Sequence, residues 1–427
     1  MALAAGFVVP YGWVYARAAA QIRPFLSDVD GPLHGDFGHF YYGARAMREH
    51  ENPYTSWKRG YIYPPLMAFV LMPLTALPAE TAAKVFIGFN IGLSIALSLL
   101  IAWESARRFG NRPGPVLITG AALIATVLLV DKIRGEMRMG QTNVWMLASF
   151  VLGLVWIDRR PWLAGIALGF GFNIKYLPVV MLPYLLFRRR WNAAAGFILG
   201  AIGFALLPAI WSGWDENLRH LAIAYSGLLN LVGVDSGAAE AANLESISAP
   251  LSVSVTSMFS RLIGGGEATG LVLAVSIATA LLAAGVMLLI AQRPGVPLLF
   301  RRMTAQDTPS HRGTTLLEWL GLMVFVLAFS PQTNTRHLYL VLFVLATAAV
   351  FLLKPPTGVA RGPLIIGVVV LVLGLNFPQF NSLSTSAALW WAAHAGPAMC
   401  LLFMYGTLLW TGLRVVGTAE PCGLPPG

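Results

Sequence analysis

The stretch TAAKVFIGFNIGLSIALSLLIAWESA, residues 81–106, decides the fold class. Its only charged residues are Lys84 and Glu104, and its apolar run is long enough for a helix to cross a bilayer, which takes about 20 residues. Hydrophobic residues make up 57% of the whole chain and charged residues 11%. Soluble domains carry roughly a quarter charged residues. The sequence therefore predicts an all-α polytopic membrane protein that is solvated by lipid.

Apolar runs of this kind recur along the chain. Ten candidate spanning helices lie near residues 2–20, 81–106, 113–131, 143–157, 192–212, 267–291, 314–331, 337–353, 363–378 and 387–413. The first run is short and contains Pro10, but no basic residue precedes it, so we interpret it as a helix rather than a signal peptide. Its shortness leads us to expect a start codon further upstream. We expect one integral membrane domain over residues 1–427.

Loop charge assigns the two sides of the membrane. The positive-inside rule places the most basic loops in the cytoplasm, namely 107–112, 158–160, 188–190, 292–302 and 354–361. The acid-bearing loops then fall on the outer side, namely 21–61, 131–142, 212–266 and 379–386. Because short loops account for the net charge of +10 and no basic-aromatic patch occurs, we expect no nucleic-acid partner. Apolar stretches within 212–266 are predicted to lie on the membrane surface as amphipathic helices.

Two apolar segments must return to the side from which they start, or the loop assignments fail to alternate. The first, 61–78, contains four prolines and is predicted to be re-entrant or interfacial. The second, 161–187, has basic loops at both ends and is predicted to form a half-depth hairpin with Asn173 and Lys175 near its tip. Irregular backbone at membrane depth occurs where protein buries it or where it lines a wet cavity. Lys175 is therefore a candidate site residue, or else a lysine that reaches back to the interface.

The first outer loop carries the densest polar sequence, DVDGPLHGDFGHFYYGARAMREHENPY at residues 28–54. Asp36 directly precedes a predicted short helix, so it is either the N-cap of that helix or a catalytic base. The capping box is incomplete, because His39 stands where Glu or Gln is expected. Asp28, Asp30, His34 and Asp36 also have the spacing of ligands for a divalent metal ion, which is a weaker hypothesis.

Two further polar segments fall on the outer side. In DKIRGEMRMGQTN (131–143), Gln141 and Asn143 suit sugar hydroxyls, or merely begin a helix. In SPQTNTRH (330–337), Arg336 and His337 could hold a phosphate together with Lys175, although a lone His can also be a solvated anchor.

Aromatic side chains and missing motifs limit the function further. Tyr41 and Tyr63 could stack on a sugar ring, or belong to the aromatic belt at the membrane interface. No nucleotide-binding glycine loop and no Cys/His zinc spacing occur in the sequence. If the protein transfers sugars, its donor is therefore not expected to be a nucleotide sugar.

The order of several motifs resembles a known family. DFGHFYYGARAM (36–47) is followed by NPY (52–54), YPPLMAFVLMPL (63–74), GQTN (140–143), WLAGIALGFGFNIKYLP (162–178) and RRRW (188–191). Over residues 28–337 the chain resembles the polyprenyl-phosphate-dependent glycosyltransferases of family eighty-seven. These are bacterial mannosyl- and arabinofuranosyltransferases with the membrane-embedded C-type glycosyltransferase fold.

The resemblance implies a function and roles for particular residues. It implies inverting transfer of one sugar, mannose or arabinofuranose, from a polyprenyl-phosphate donor to a glycan or glycolipid acceptor. The reaction would take place on the outer face of the bacterial plasma membrane and would need no cofactor. Asp36 inherits the role of catalytic base, and His337 that of a residue near the reacting groups. Lys175 and Arg336 are then assigned to the donor phosphate, and Tyr41, Tyr63, Gln141 and Asn143 to the sugar or the acceptor.

Other functions remain open on the sequence alone. A transporter or flippase would also carry charges within apolar helices, but such proteins often show two related halves, and no internal repeat is evident here. A ligase or polymerase of lipid-linked glycans would use outer loops in the same way, and a non-catalytic assembly partner is the last alternative. The gathering of polar residues on one side favours the single-sugar transferase.

Overall fold

A computed structural model describes residues 2–27, 36–56, 60–231, 247–249, 252–291, 309–331, 333–355, 360–377 and 385–418. These residues form helices, with one isolated antiparallel bridge between Ser252 and Asn334. The α-helices are α1 (Ala2–Ser27), α2 (Phe37–Arg48), α3 (Leu66–Leu71), α4 (Ala79–Arg108), α5 (Pro115–Leu128), α6 (Val130–Met139), α7 (Asn143–Trp156), α8 (Pro161–Phe172), α9 (Met181–Phe187), α10 (Trp191–Leu206), α11 (Ala209–Ser212), α12 (Trp214–Leu231), α13 (Val255–Ile263), α14 (Gly270–Ala291), α15 (Pro309–Phe329), α16 (Leu342–Leu353), α17 (Gly362–Asn376), α18 (Thr385–Ala393) and α19 (Gly396–Thr418). Short 3-10 helices cover Met72–Ala76, Leu177–Val180 and His337–Val341.

The all-α membrane architecture is confirmed. Within the described ranges, five helical stretches are long and apolar enough to cross a bilayer: Ala79–Arg108, Trp191–Ser212, Gly270–Ile290, Arg312–Phe329 and Gly396–Arg414. The pair α5 and α6 adds a sixth if it is taken as one span, although it bends by 70°. The predicted total of ten spans exceeds this number and stays a prediction.

Two predicted spans have a different shape in the structure. The apolar run 113–131 ends at Leu129, where the chain bends into α6. The run 387–413 is not one helix, because α18 and α19 are separated by a turn in which Ala395 has a left-handed φ of 56°. Gly396 allows this turn, since a Cβ at that position would overlap the indole ring of Trp391. Two helices, α12 and α13, lie within 212–266, where amphipathic helices were expected, and their position on the membrane surface stays a prediction.

The centre of the bundle is held by α4, α5 and α16. The side chains of α16 from Leu342 to Phe351 are all buried, so this helix lies inside the protein rather than against lipid. Hydroxyl pairs join α4 to the segment that contains α16: Ser94 Oγ lies 2.7 Å from Tyr339 Oη, and Ser105 Oγ lies 2.9 Å from Thr347 Oγ1. Because few polar groups are available in such a core, these paired hydroxyls fix the relative rotation of the helices.

The chain turns back within 161–187 as predicted, and the half-depth position of this hairpin in a membrane stays a prediction. Its first arm, α8, runs parallel to α10, because Gly165 lies against Ala193 and Gly196 while Gly169 lies against Gly200 and Ala201. A Cβ at either glycine of α8 would overlap the backbone of α10, so the helices touch without intervening side chains. Two consecutive long helices that run parallel require the segment between them to return. The returning arm consists of the 3-10 turn at 177–180 and α9.

Loops that were assigned to the same side meet in the structure. Arg108, at the end of α4, donates to Asp158 Oδ2 at 2.9 Å, and Arg190 donates to Asp158 Oδ1 at 2.9 Å. We call this end of the bundle the basic end. Since α8 begins next to it and ends near Lys175, the turn that holds Lys175 lies at the opposite end.

Candidate active site

Asp36 lies immediately before α2, but its side chain does not cap that helix. Side-chain capping requires extended backbone angles, whereas Asp36 has helical angles of φ −76° and ψ −15°. Its backbone N–H donates to Met139 O at 2.8 Å, which ties the start of α2 to the end of α6. The N-cap interpretation is therefore wrong, and the carboxylate is directed to other partners.

Three donors from distant parts of the chain surround the Asp36 carboxylate. The Tyr63 hydroxyl donates to Oδ2 at 3.2 Å, and Gln141 Nε2 donates to the same oxygen. Arg336 Nη1 lies 3.2 Å from Oδ1 and 3.3 Å from Oδ2. The side chain of Asp36 keeps 13% exposure and that of Arg336 25%, so a ligand can still reach the pair.

Gly140 brings the GQTN segment to this carboxylate. The residue ends α6 in the left-handed conformation, with φ 62°. A Cβ at this position would lie 2.5 Å from the Cβ of Phe37, the first residue of α2. Glycine is needed here for both reasons, since it accepts positive φ and leaves room for the approach. The next residue, Gln141, consequently lies beside Asp36.

Lys175 lies in the turn after α8, which belongs to no spanning helix. Its ammonium group donates to Asn143 Oδ1 at 2.6 Å and to Gln141 Oε1 at 3.2 Å. It also lies 5.6 Å from the centre of the Tyr63 ring, within cation–π range. Burial lowers the pKa of Lys175 below its ordinary value of 10.5, although neighbouring carboxylates oppose the shift. The direct hydrogen-bond acceptors of this cation are therefore neutral amides, and the carboxylates act on it from a greater distance.

His337 faces Lys175 with one ring nitrogen. Its Nε2 lies 3.5 Å from Lys175 Nζ, while Nδ1 accepts the backbone N–H of Asn334 at 3.3 Å. A neutral imidazole can accept at only one of its nitrogens, so His337 accepts either the Asn334 N–H at Nδ1 or the Lys175 ammonium group at Nε2. The Asn143 amide also donates to Arg336 O at 3.3 Å, which holds the segment before His337 in place.

The structure brings together nearly all of the predicted site residues. Seven of them belong to one connected cluster: Asp36, Tyr63, Gln141, Asn143, Lys175, Arg336 and His337. Tyr41 takes another position, because its hydroxyl donates to Leu77 O at 2.8 Å. Arg336 is paired with Asp36 here, which differs from its expected place on a donor phosphate.

The metal hypothesis falls largely outside the described residues, since Asp28, Asp30 and His34 are not among them. Among the residues that are described, no group of three or more His, Cys, Asp and Glu side chains has the geometry of a metal site.

Two buried polar residues of the site were not predicted from the sequence. Glu136 is 1% exposed, and its carboxylate accepts from Asn143 Nδ2 at 2.8 Å and from the Val144 backbone at 3.1 Å. Asn90 is fully buried in α4 and donates to Gln141 O at 3.1 Å. For Asn90 the available signal was a polar residue inside an otherwise apolar span, which is costly unless it has a partner.

The cluster combines one accessible carboxylate with three cationic or proton-donating groups. A carboxylate can accept a proton from a hydroxyl, and Lys, Arg and protonated His can bind an anionic phosphate by charge-assisted hydrogen bonds. These groups come from segments around residues 36, 175 and 336, which only the fold brings together.

Sequence comparison identifies the family. The profile of glycosyltransferase family 87 matches residues 61–306, which is more than half of the chain. The chain belongs to this family. Tyr63, Gln141, Asn143 and Lys175 lie within the matched residues of the family 87 protein, whereas Asp36 lies before them.

Two curated relatives illustrate the range of this similarity. A polyprenol-phosphate-mannose-dependent alpha-(1-2)-phosphatidylinositol mannoside mannosyltransferase of Mycobacterium tuberculosis is 31% identical over 38% of this chain and 40% of the relative. An undecaprenyl phosphate-alpha-4-amino-4-deoxy-L-arabinose arabinosyl transferase of Pseudomonas aeruginosa is 31% identical over 30% of this chain and 29% of the relative. The alignments therefore span well under half the length of these relatives. No solved structure matches the chain.

Proposed function

We propose that the protein transfers one sugar from a polyprenyl-phosphate donor to a hydroxyl of a membrane glycolipid or other envelope glycan. The observation that carries the proposal is the junction of Asp36 with Lys175, Arg336 and His337 in a chain of family 87. Both curated relatives described above are named for polyprenol-phosphate or undecaprenyl-phosphate sugars. Mannose and an arabinose are accordingly the first sugars to test.

Each charged group of the cluster has a role in the proposed reaction. The bond between the anomeric carbon and the phosphate oxygen breaks, and the lipid phosphate leaves as an anion. Lys175, Arg336 and His337 stabilise that anion, so that no strong general acid is required. A new bond forms between the anomeric carbon and the acceptor oxygen, whose proton passes to Asp36. Attack opposite the leaving phosphate inverts the anomeric configuration.

A carboxylate is a weak base, with an ordinary pKa of about 4. It is sufficient here because the transition state of sugar transfer resembles an oxocarbenium ion and the hydroxyl loses its proton late. Tyr63 and Gln141 orient the carboxylate, and Arg336 can bind both Asp36 and the phosphate, since its guanidinium has several N–H donors.

The membrane position of the site also belongs to the proposal. By the positive-inside rule the basic end would lie in the cytoplasm, so the cluster would face the outer side of the bacterial plasma membrane. A donor chain can then remain in lipid while its phosphate meets Lys175. The mycobacterial relative is named for a phosphatidylinositol mannoside acceptor, and lipids of that class are the first acceptors to test.

The test is transfer by the purified protein in proteoliposomes. Labelled polyprenyl-phosphate mannose, or the corresponding aminoarabinose donor, is supplied with phosphatidylinositol mannoside, and the labelled glycolipid product is quantified. We expect product with the wild type and a loss of about 10²- to 10⁴-fold in Asp36→Asn, the usual contribution of a general base. Asp215→Asn changes an exposed acid of α12 and is the matched control, which should retain full activity.

Two results would overturn the proposal. One is a properly inserted Asp36→Asn protein as active as the wild type. The other is solute uptake into the proteoliposomes without sugar transfer from either donor, which would favour a transporter.

A further inference from the structure

Glu136 is a buried acid that the proposed reaction does not use. It lies on α6, five residues before Gln141, and its side chain is shielded from solvent. Its two oxygens have separate partners, because Oε1 accepts the Val144 backbone N–H and Oε2 accepts the Asn143 amide. A fully buried carboxylate is costly, so its presence beside the site calls for a role.

The first consequence of Glu136 concerns the orientation of Asn143. A carboxylate can only accept, so the Asn143 side chain must direct its NH₂ group toward Glu136. The carboxamide oxygen is thereby left facing Lys175, to which it lies at 2.6 Å. The chain of contacts from Glu136 through Asn143 to Lys175 contains a donor and an acceptor at every step.

The second consequence concerns charge. Desolvation makes the half-buried Lys175 lose its proton more readily than an ordinary lysine, while a nearby negative charge favours its cationic form. The titratable or charged groups that face Lys175 are Asp36, Glu136, Arg336, His337 and Tyr63. Among them, Asp36 is already paired with Arg336, whereas Glu136 has only neutral hydrogen-bond donors at its two oxygens.

We propose that Glu136 is a positioning residue, which turns the Asn143 carbonyl toward Lys175 and keeps Lys175 cationic and ready to bind the donor phosphate. This inference rests on the proposed function, because it takes the phosphate of a polyprenyl donor as the ligand of Lys175. It assigns no contact between Glu136 and the substrate. Glu136 would thus control donor affinity and its pH dependence rather than the chemical step.

The decisive measurement is the affinity for undecaprenyl phosphate as a function of pH between 7 and 10, a range chosen about the pKa of a lysine lowered by burial. The ligand is the product of the proposed reaction and requires neither sugar nor acceptor. Wild type, Glu136→Gln and Glu136→Asp are compared in the same detergent. Glu104→Gln is the matched control, since Glu104 is equally buried but lies at the basic end.

We expect Glu136→Gln to weaken binding by about tenfold, the effect of losing one charge-assisted hydrogen bond. The introduced amide has one acceptor oxygen and cannot accept from both Val144 and Asn143. When its oxygen takes the Val144 N–H, its NH₂ group faces the NH₂ group of Asn143 and that side chain must turn. Loss of the negative charge lowers the pKa of Lys175 further, so binding fails at a lower pH than in the wild type. Glu136→Asp keeps the charge, so it should weaken binding while binding still fails at the wild-type pH.

The outcomes separate this inference from the proposed function. Glu104→Gln should lower the melting temperature and leave both affinity and pH dependence unchanged. If Glu136→Gln behaves in the same way as Glu104→Gln, Glu136 is only structural and the inference is wrong, even when the wild type transfers sugar. If Glu136→Gln does not insert, unchanged affinity in Glu136→Asp overturns the inference equally. A wild type that binds no undecaprenyl phosphate overturns both the donor assignment and the role of Glu136.

Discussion

At the basic end, Arg108 donates to Glu104 at 2.6 Å, to Asp158 at 2.9 Å and to the Leu154 carbonyl at 2.7 Å. At the opposite end, the acceptors of Lys175 are the carboxamide oxygens of Gln141 and Asn143. Arg108 is buried and Lys175 is half-buried, and the direct acceptors are carboxylates for the first and amide oxygens for the second. Removing one partner of a buried ion pair leaves an uncompensated charge, whereas a cation whose direct acceptors are neutral remains able to attract an anionic ligand.

The same contrast appears in the pKa values. Burial opposes ionisation of Asp158, yet the guanidinium groups of Arg108 and Arg190 hold its pKa below the ordinary value, so the fold favours the charged form. For Lys175 the fold disfavours the charged form, because burial is the larger effect. The basic end is therefore electrostatically satisfied, while the site is prepared for an anion.

The largest expected effect on stability comes from Arg108→Met at the basic end. This change leaves Glu104 buried with one fewer cation and removes one partner of Asp158, a loss that typically costs about 3–5 kcal/mol. We expect a fall of several degrees in the melting temperature in detergent, with normal sugar transfer per folded molecule. Arg107→Met is the matched control and should cost less, because Arg107 is 20% exposed and Glu104 keeps Arg108. If Arg108→Met and Arg107→Met lower the melting temperature equally, the burial of Arg108 does not make its ion pairs more important for stability.

Lys175→Met should have the reverse effects of Arg108→Met, with stability nearly unchanged and ligand binding weakened. The substitution removes a cation that burial disfavours, so the melting temperature should remain within a few degrees of the wild type or rise. Affinity for undecaprenyl phosphate should fall by about tenfold or more, since a charge-assisted hydrogen bond to the phosphate is lost. Lys84→Met, at an exposed lysine paired with Glu80, controls for a general loss of positive charge. A large drop in the melting temperature would show that Lys175 is structural in the same sense as Arg108.

Tyr63→Phe should have the smallest effect. It deletes the hydroxyl that donates to Asp36 but keeps the ring, which stacks on Phe40 at 4.7 Å. One neutral donor is worth about 0.5–1.5 kcal/mol, so kcat should fall by roughly three- to tenfold. Tyr54→Phe, which removes a buried bond to the Tyr63 carbonyl, is the control and should retain activity. A loss as great as that of Asp36→Asn would mean that Tyr63 does more than orient the carboxylate.

The sequence predicted those features that depend on local composition or on the alternation of loops between the two sides of the membrane. Apolar runs located the helices, and basic residues at both ends of 161–187 required the returning hairpin that the structure contains. Polar segments on one predicted side did contain the residues that cluster around Asp36. These inferences succeeded because hydrophobicity and loop charge are properties of single segments.

Contacts between segments were beyond sequence reasoning. Whether Asp36 caps α2 depends on its φ and ψ, which the contact with Met139 helps to determine. Tyr41 and Tyr63 have the same chemistry, and only the backbone path decides which hydroxyl reaches the carboxylate. Glu136 was overlooked because an acid among the basic residues of an outer segment resembles a solvated one. Its burial became visible only once α6 was folded against α1.

The glycine contact between α8 and α10 has a consequence for which positions of the sequence can change during evolution. Because Gly165 and Gly169 rest directly on the backbone of α10, the height and direction of the Lys175 turn are fixed by main chain rather than by side chains. The outward side chains of these helices, such as those of Leu199 and Ile202, are exposed and lie away from that contact. Lipid-facing positions can therefore adapt to membranes of different composition over evolutionary time while the lysine keeps its register.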